Sequence, residues 1–98
     1  MKTYLVFRKP SSGWVAGLKT RQQPLWDEHA VFMDRLYQSG EVTLAGPYAD
    51  LSRALIVVKA ESESAAAAMF DPDPWTTARV LETDGVHEWT VFMGANKI

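Results

Sequence analysis

The stretch ALIVVKA, residues 54–60, carries Leu55, Ile56, Val57 and Val58 in succession. Successive side chains of a strand point to opposite faces, so this strand is apolar on both. TYLVFR at 3–8 does the same with Tyr4, Leu5, Val6 and Phe7, and LETDGVHEWTVFM at 81–93 closes on Val91, Phe92 and Met93. An antiparallel sheet with one wet face alternates apolar and polar residues instead. Strands apolar on both faces need cover on both. The simplest cover is a second copy of the same sheet, so the pattern predicts a homodimer joined face to face. The length, 98 residues, is that of one domain spanning 1–98, with a thin core that gains from such burial.

The remaining segments read as follows. KPSSGWVAGLKTRQQP, after the first strand, is rich in Pro, Ser and Gly. At about 16 residues it exceeds the usual connection and suggests a functional loop. Pro24 suits the entry to a helix over 25–39, and Gly40 its stop. VTLAGPY at 42–48 is a second strand, joined through ADLSR to the third at 54–60. SESAAAAMF at 62–70 is a helix with Ser62 as its N-cap. DPDPW interrupts it, TTARV resumes a short helical turn, and the last strand, 81–93, is bulged or broken at Asp84–Gly85. The order β-α-β-β-α-β predicts an α+β, ferredoxin-like fold: one antiparallel four-stranded sheet with both helices on one face.

Several function classes are excluded. Net charge is −2 and the basic residues are scattered, which gives no nucleic-acid or membrane patch. The chain has no cysteine, hence no disulfide scaffold, thiol nucleophile or thiolate metal site. The apolar stretch before Arg8 is too short for a signal peptide. No apolar run approaches the roughly 18 residues of a membrane span. The expectation is a cytoplasmic protein. Ser11-Ser12-Gly13 lacks the Gly-Lys-Ser/Thr of a phosphate loop.

WDEHAVFMDRL at 26–36 holds the feature closest to chemistry. On a helical wheel Leu25, Trp26, His29, Ala30, Phe32, Met33, Leu36 and Tyr37 share an arc of roughly 160°. His29 falls near its middle and should face the sheet. Such a histidine is either packed and hydrogen-bonded as part of the core, or a general acid/base, since imidazole titrates near neutrality. The second role needs a cavity and an orienting carboxylate. Asp71 and Asp73 are the candidates, each followed by a proline that stiffens the backbone. Trp14, Trp26, Tyr48 and Trp75 are candidate apolar walls. Gly46-Pro47, at a strand end, permits close approach of the backbone to a ligand. His87 has no ligand-type spacing to His29, so no metal is expected.

Taken in order, RQQPLWDEHAVFMDRL at 21–36, Gly40, VTLAGPYAD at 42–50, ALIVVKAES at 54–62, DPW at 73–75 and VHEWTVFMG resemble the YCII-related (YciI-like) family of the dimeric α+β barrel group. The resemblance covers nearly the whole chain. It implies a ferredoxin-like fold dimerising through its sheets, with a cleft beside the first helix holding a histidine–aspartate pair. It carries the histidine onto His29 and the aspartate onto Asp73, through Asp73-Pro74-Trp75, although Asp71-Pro72 repeats the motif one step earlier. Gly46 and Pro47 map to a strand-end Gly-Pro near the cleft. Together with Trp26 and Trp75 they are the expected substrate contacts. The resemblance implies acid/base chemistry on a small polar or aromatic molecule; the expected reaction is an elimination, isomerisation or hydrolysis that requires no metal or organic cofactor. The competing expectation is a non-catalytic dimeric module that binds a small molecule or regulates a partner.

Overall fold

A computed structural model of the protein describes residues 1–94. Its strands are β1 (Lys2–Pro10), β2 (Val42–Pro47), β3 (Ala54–Ala60) and β4 (Leu81–Glu88). Its helices are α1 (Trp26–Gln38), α2 (Glu63–Ala68) and α3 (Pro74–Thr77). The four strands form one sheet in the order β2-β3-β1-β4, and every neighbouring pair is antiparallel. This is the ferredoxin-like arrangement that the element order predicts.

Register assigns the two faces. Tyr4 pairs with Val58 and Val6 with Ile56. These four are buried with Val42, Ala60, Ala66 and Phe70, and Phe32, Met33 and Leu36 of α1 pack against them. Both long helices therefore cover the same face. Each fully buried aliphatic or aromatic side chain there contributes about 1.5–3 kcal/mol. The alternate residues, Leu5 paired with Val57 and Phe7 with Leu55, point away from the helices. Arg8 continues the inward parity of Tyr4 and Val6 and is buried with them.

β4 carries the expected bulge. Phe7 faces Gly85 but Arg8 faces Thr83, which leaves Asp84 as the extra residue. The strand ends at Glu88, not at 93. Its partner β1 begins at Lys2, and the Trp89 N–H to Thr3 carbonyl bond, 2.9 Å, is the last between them. Past that bond the chain leaves the ladder, and Phe92 and Met93 are 73% and 91% exposed.

α1 runs from Trp26 to Gln38, and Gly40, at φ 84°, takes the left-handed turn that stops it. His29 is buried, and Trp26, Ala30, Phe32, Met33 and Leu36 are half-buried. Two members of the predicted arc are exposed. Leu25 precedes the helix in a left-handed conformation, φ 60°, which takes it off the helical wheel. Tyr37 lies in the last turn, 61% exposed.

The long β1–α1 connection is ordered by one buried side chain. The Gln23 carboxamide accepts from Val15 N–H at 2.8 Å and donates to the Val15 and Leu18 carbonyls at 2.9 and 3.0 Å. Gly13 lets the loop lie against the end of α3: a Cβ there would sit 2.4 Å from the Ala78 carbonyl oxygen.

Candidate active site

The site is built on α3, a helix too short to persist alone. Asp73 caps its start, accepting the Trp75 N–H at 2.9 Å, and Pro74 supplies the preset φ of a first helical residue. At the other end Val80 N–H reaches the Trp75 carbonyl at 2.9 Å and Arg79 N–H the Thr76 carbonyl at 3.1 Å. That is the paired closure of a Schellman motif. Its usual hydrophobic contact is also present, between the buried Trp75 and Val80. Trp75 is further tied by its indole N–H to the Pro24 carbonyl at 2.6 Å. Two caps and one buried indole thus hold a single turn of helix beneath α1.

His29 reaches down from the first turn of α1. Its Nδ1 lies 2.9 Å from Asp73 Oδ1 and 3.0 Å from Oδ2. The ring stacks on Trp75, centroids 3.8 Å apart and planes 8° from parallel, with Trp26 tilted beside it at 5.7 Å. Of the two sequence candidates Asp73 faces the histidine, fully buried, while Asp71 is exposed. A carboxylate only accepts, so Nδ1 carries the proton and Nε2 of the neutral ring is the free acceptor. Among the described residues Nε2 has no protein partner, yet it is not among the buried unpartnered atoms. It is therefore open to solvent or ligand.

Arg8 completes the cluster from β1. Its Nη1 meets Asp73 Oδ2 at 2.9 Å, and Nη2 donates to Thr76 Oγ at 2.6 Å. Thr76 in turn donates to the Phe70 carbonyl at 2.6 Å. Burial pulls the Arg8 pKa down from its usual value, opposed by the charge and hydrogen bond of Asp73 and by the charge of Asp71. The guanidinium nonetheless keeps its proton at neutral pH.

A cavity of about 220 Å³ opens beside the His29 ring. Trp14, Trp26, Trp75, Met33, Ile56 and Leu81 give it apolar walls, and His29, Arg8 and Arg53 are its charged or titratable lining. Arg53 is matched by Asp84, Nε to Oδ2 2.6 Å, with Lys9 Nζ at 3.5 Å from the same carboxylate. Burial pushes the Asp84 carboxyl up, but the charges of Arg53 and Lys9 outweigh it and leave the group below the usual carboxylate range. The volume lies under the roughly 300 Å³ of drug-sized pockets and fits a small ring compound.

Gly46 and Pro47 line this cavity, as do Trp14, Trp26 and Trp75. Asp73 does not; it stands behind the histidine. Tyr48 lies elsewhere, in a groove on the sheet's outer face with Leu44, Leu55 and Val57. A Cβ at Gly46 would meet no protein atom, so within one chain nothing crowds that backbone. His87 pairs with Leu5 on the outer face and packs on Phe7, centroids 6.0 Å apart, away from His29. Among the described residues no group of three or more His, Asp or Glu gathers as a metal site, and no helix is long and apolar enough to cross a membrane.

Sequence reasoning misses Arg8, Thr76 and Gln23. Arg8 had a signal, since it shares parity with Tyr4 and Val6; the other two depend on loop and cap geometry that no spacing encodes.

Comparison with known proteins adds two findings. The solved structure of 5-chloro-2-hydroxyhydroquinone dehydrochlorinase (TftG) from Burkholderia phenoliruptrix AC1100, in complex with 2,5-dihydroxybenzoquinone, is similar in fold, with a TM-score of 0.68 and 20% identity. The match covers 90% of this chain and 93% of that one. No curated protein matches by sequence. The YCII-related domain, by contrast, matches residues 3–90. The chain belongs to the YCII-related family.

Proposed function

We propose that the protein is a small-molecule enzyme in which His29 Nε2 exchanges a proton with a small polar or aromatic compound bound in the cavity. Asp73 holds the ring in its Nδ1–H tautomer and stabilises the imidazolium that forms. The carrying observation is the His29 ring itself: Nδ1 fixed on a buried carboxylate, one face on Trp75, and Nε2 open beside an apolar cavity. Trp26, Trp75, Gly46 and Pro47 would contact the substrate. The reaction is an elimination, isomerisation or hydrolysis. The likeness to a dehydrochlorinase crystallised with a dihydroxybenzoquinone favours elimination from a hydroxylated ring. The functional unit would be a homodimer joined through the outer sheet face.

Chloride release from 5-chloro-2-hydroxyhydroquinone and related halogenated phenols is the direct test. His29→Ala is expected to lower the rate by about 10²–10⁴-fold, the usual worth of a general acid/base. An unchanged rate would overturn the assignment. Ligand-induced stabilisation with no turnover of any such compound would instead support a binding module.

A further inference from the structure

His29 and Asp73 do not stand as an isolated pair. Arg8 Nη1 lies 2.9 Å from Asp73 Oδ2, and the two side chains are 1% and 0% exposed. The guanidinium is held on its far side by Thr76 Oγ at 2.6 Å, and its Nε is buried with no partner. Arg8 and Asp73 cancel in charge. The three groups together are neutral while His29 is neutral, and carry +1 once it holds a proton. A histidine–aspartate pair alone would run from −1 to neutral.

We propose that Arg8 is a positioning residue that makes this site a stabiliser of anions formed by proton loss, an inference that rests on the reading of His29 as the proton acceptor. In the step concerned, a substrate O–H or C–H bond breaks. Its proton passes to His29 Nε2, and the electron pair stays on the substrate as an oxyanion or carbanion. The +1 that appears on the protein is then offset by the substrate's own charge. No carboxylate is among the described residues that line the cavity. The Asp84 carboxylate is already engaged by Arg53 and Lys9, and Asp71, which also acts on Arg8, faces water and is screened. Trp14, Trp26 and Trp75 give the cavity apolar walls, beside which the attraction between the new charges is screened less than in bulk water.

The probe is 4-nitrophenol, whose anion absorbs visible light and whose neutral form does not. At a pH where the free compound is mainly neutral, the wild-type protein is expected to bind it with the anion's band. Arg8→Lys keeps the charge and retains the band. Arg8→Gln keeps a donor to Asp73 without the charge, and should bind the probe with the ionised fraction lowered about tenfold, as expected for losing one nearby charge. His29→Gln should abolish the band. An Arg8→Gln spectrum equal to wild type, or a wild type that binds only the neutral phenol, overturns the proposal. Should Arg8→Gln fail to fold, the wild-type spectrum and Arg8→Lys still decide it. Absence of any wild-type binding overturns the cavity reading beneath it, and is distinguished by lacking a bound spectrum of either form.

Discussion

Replacing Asp73 by alanine would strand two groups at once. Arg8, 1% exposed, would keep its charge without a counterion, and the Trp75 N–H would lose its cap. Breaking a buried pair from one side costs about 3–5 kcal/mol. Asp73→Ala is therefore expected to lower the unfolding free energy by an amount in that range, read from urea unfolding at an unchanged m-value. The double substitution Arg8→Met/Asp73→Leu should recover much of it, because no charge is left buried alone. Equal instability of single and double variants would show that something other than the ion pair ties β1 to α3. His29 is legible in the sequence because the helical wheel alone places it inward. The choice between Asp71 and Asp73 is not, since both precede proline. Only the backbone separates them: Asp71 N–H closes a turn on the Ala68 carbonyl, while Asp73 opens the next helix as its cap. Arg8 reads as the polar end of a strand until its parity with Tyr4 and Val6 is taken seriously.

At the level of elements, α3 carries a local conflict. Its closing motif requires a left-handed residue, a position normally filled by glycine. Here Arg79 occupies it at φ 58°. Its side chain is exposed, and what it gives to the fold is its backbone: the carbonyl accepts the Gly13 N–H at 2.8 Å. Arg79→Gly removes a Cβ penalty of about 1–2 kcal/mol, against a glycine entropy cost of about 0.5–1 kcal/mol. The net expectation is a gain of about 0.5–1 kcal/mol, seen as a melting temperature a few degrees higher. A lower melting temperature would mean the arginine side chain makes a stabilising contact. The turn after DPDPW is legible from its prolines, whereas its end is not, because the sequence places no glycine where the backbone turns. The end of β4 fails for a related reason. Val91, Phe92 and Met93 have strand-like composition, but a strand needs a hydrogen-bonded partner as well, and the paired register with β1 runs only to Tyr4 opposite Glu88.

For the whole molecule the open question is the sheet's second face. The doubly apolar strands predict cover there, and in the chain the helices lie on the other side. Leu44, opposite Val57 in register, is 69% exposed, and the groove it shares with Tyr48, Leu55 and Val57 is floored by apolar side chains. The homodimer proposed above would bury this groove. If a second copy covers it, the wild type sediments at twice its 11.0 kDa mass, and its melting temperature rises with concentration. Leu44→Glu should then give monomers at the same concentration. Because the residue is already exposed in the chain, the substitution disturbs little of the monomer's own core, so any loss reads on assembly. A wild type that stays monomeric at high micromolar concentration would sink the dimer. The same variant also probes the cavity. Gly46 and Pro47 line both the groove and the cavity beside His29, so a partner seated on the groove would press against the cavity's own wall. Leu44→Glu should therefore weaken 4-nitrophenol binding along with dimerisation. Binding retained in full by the monomer would separate the site from the assembly.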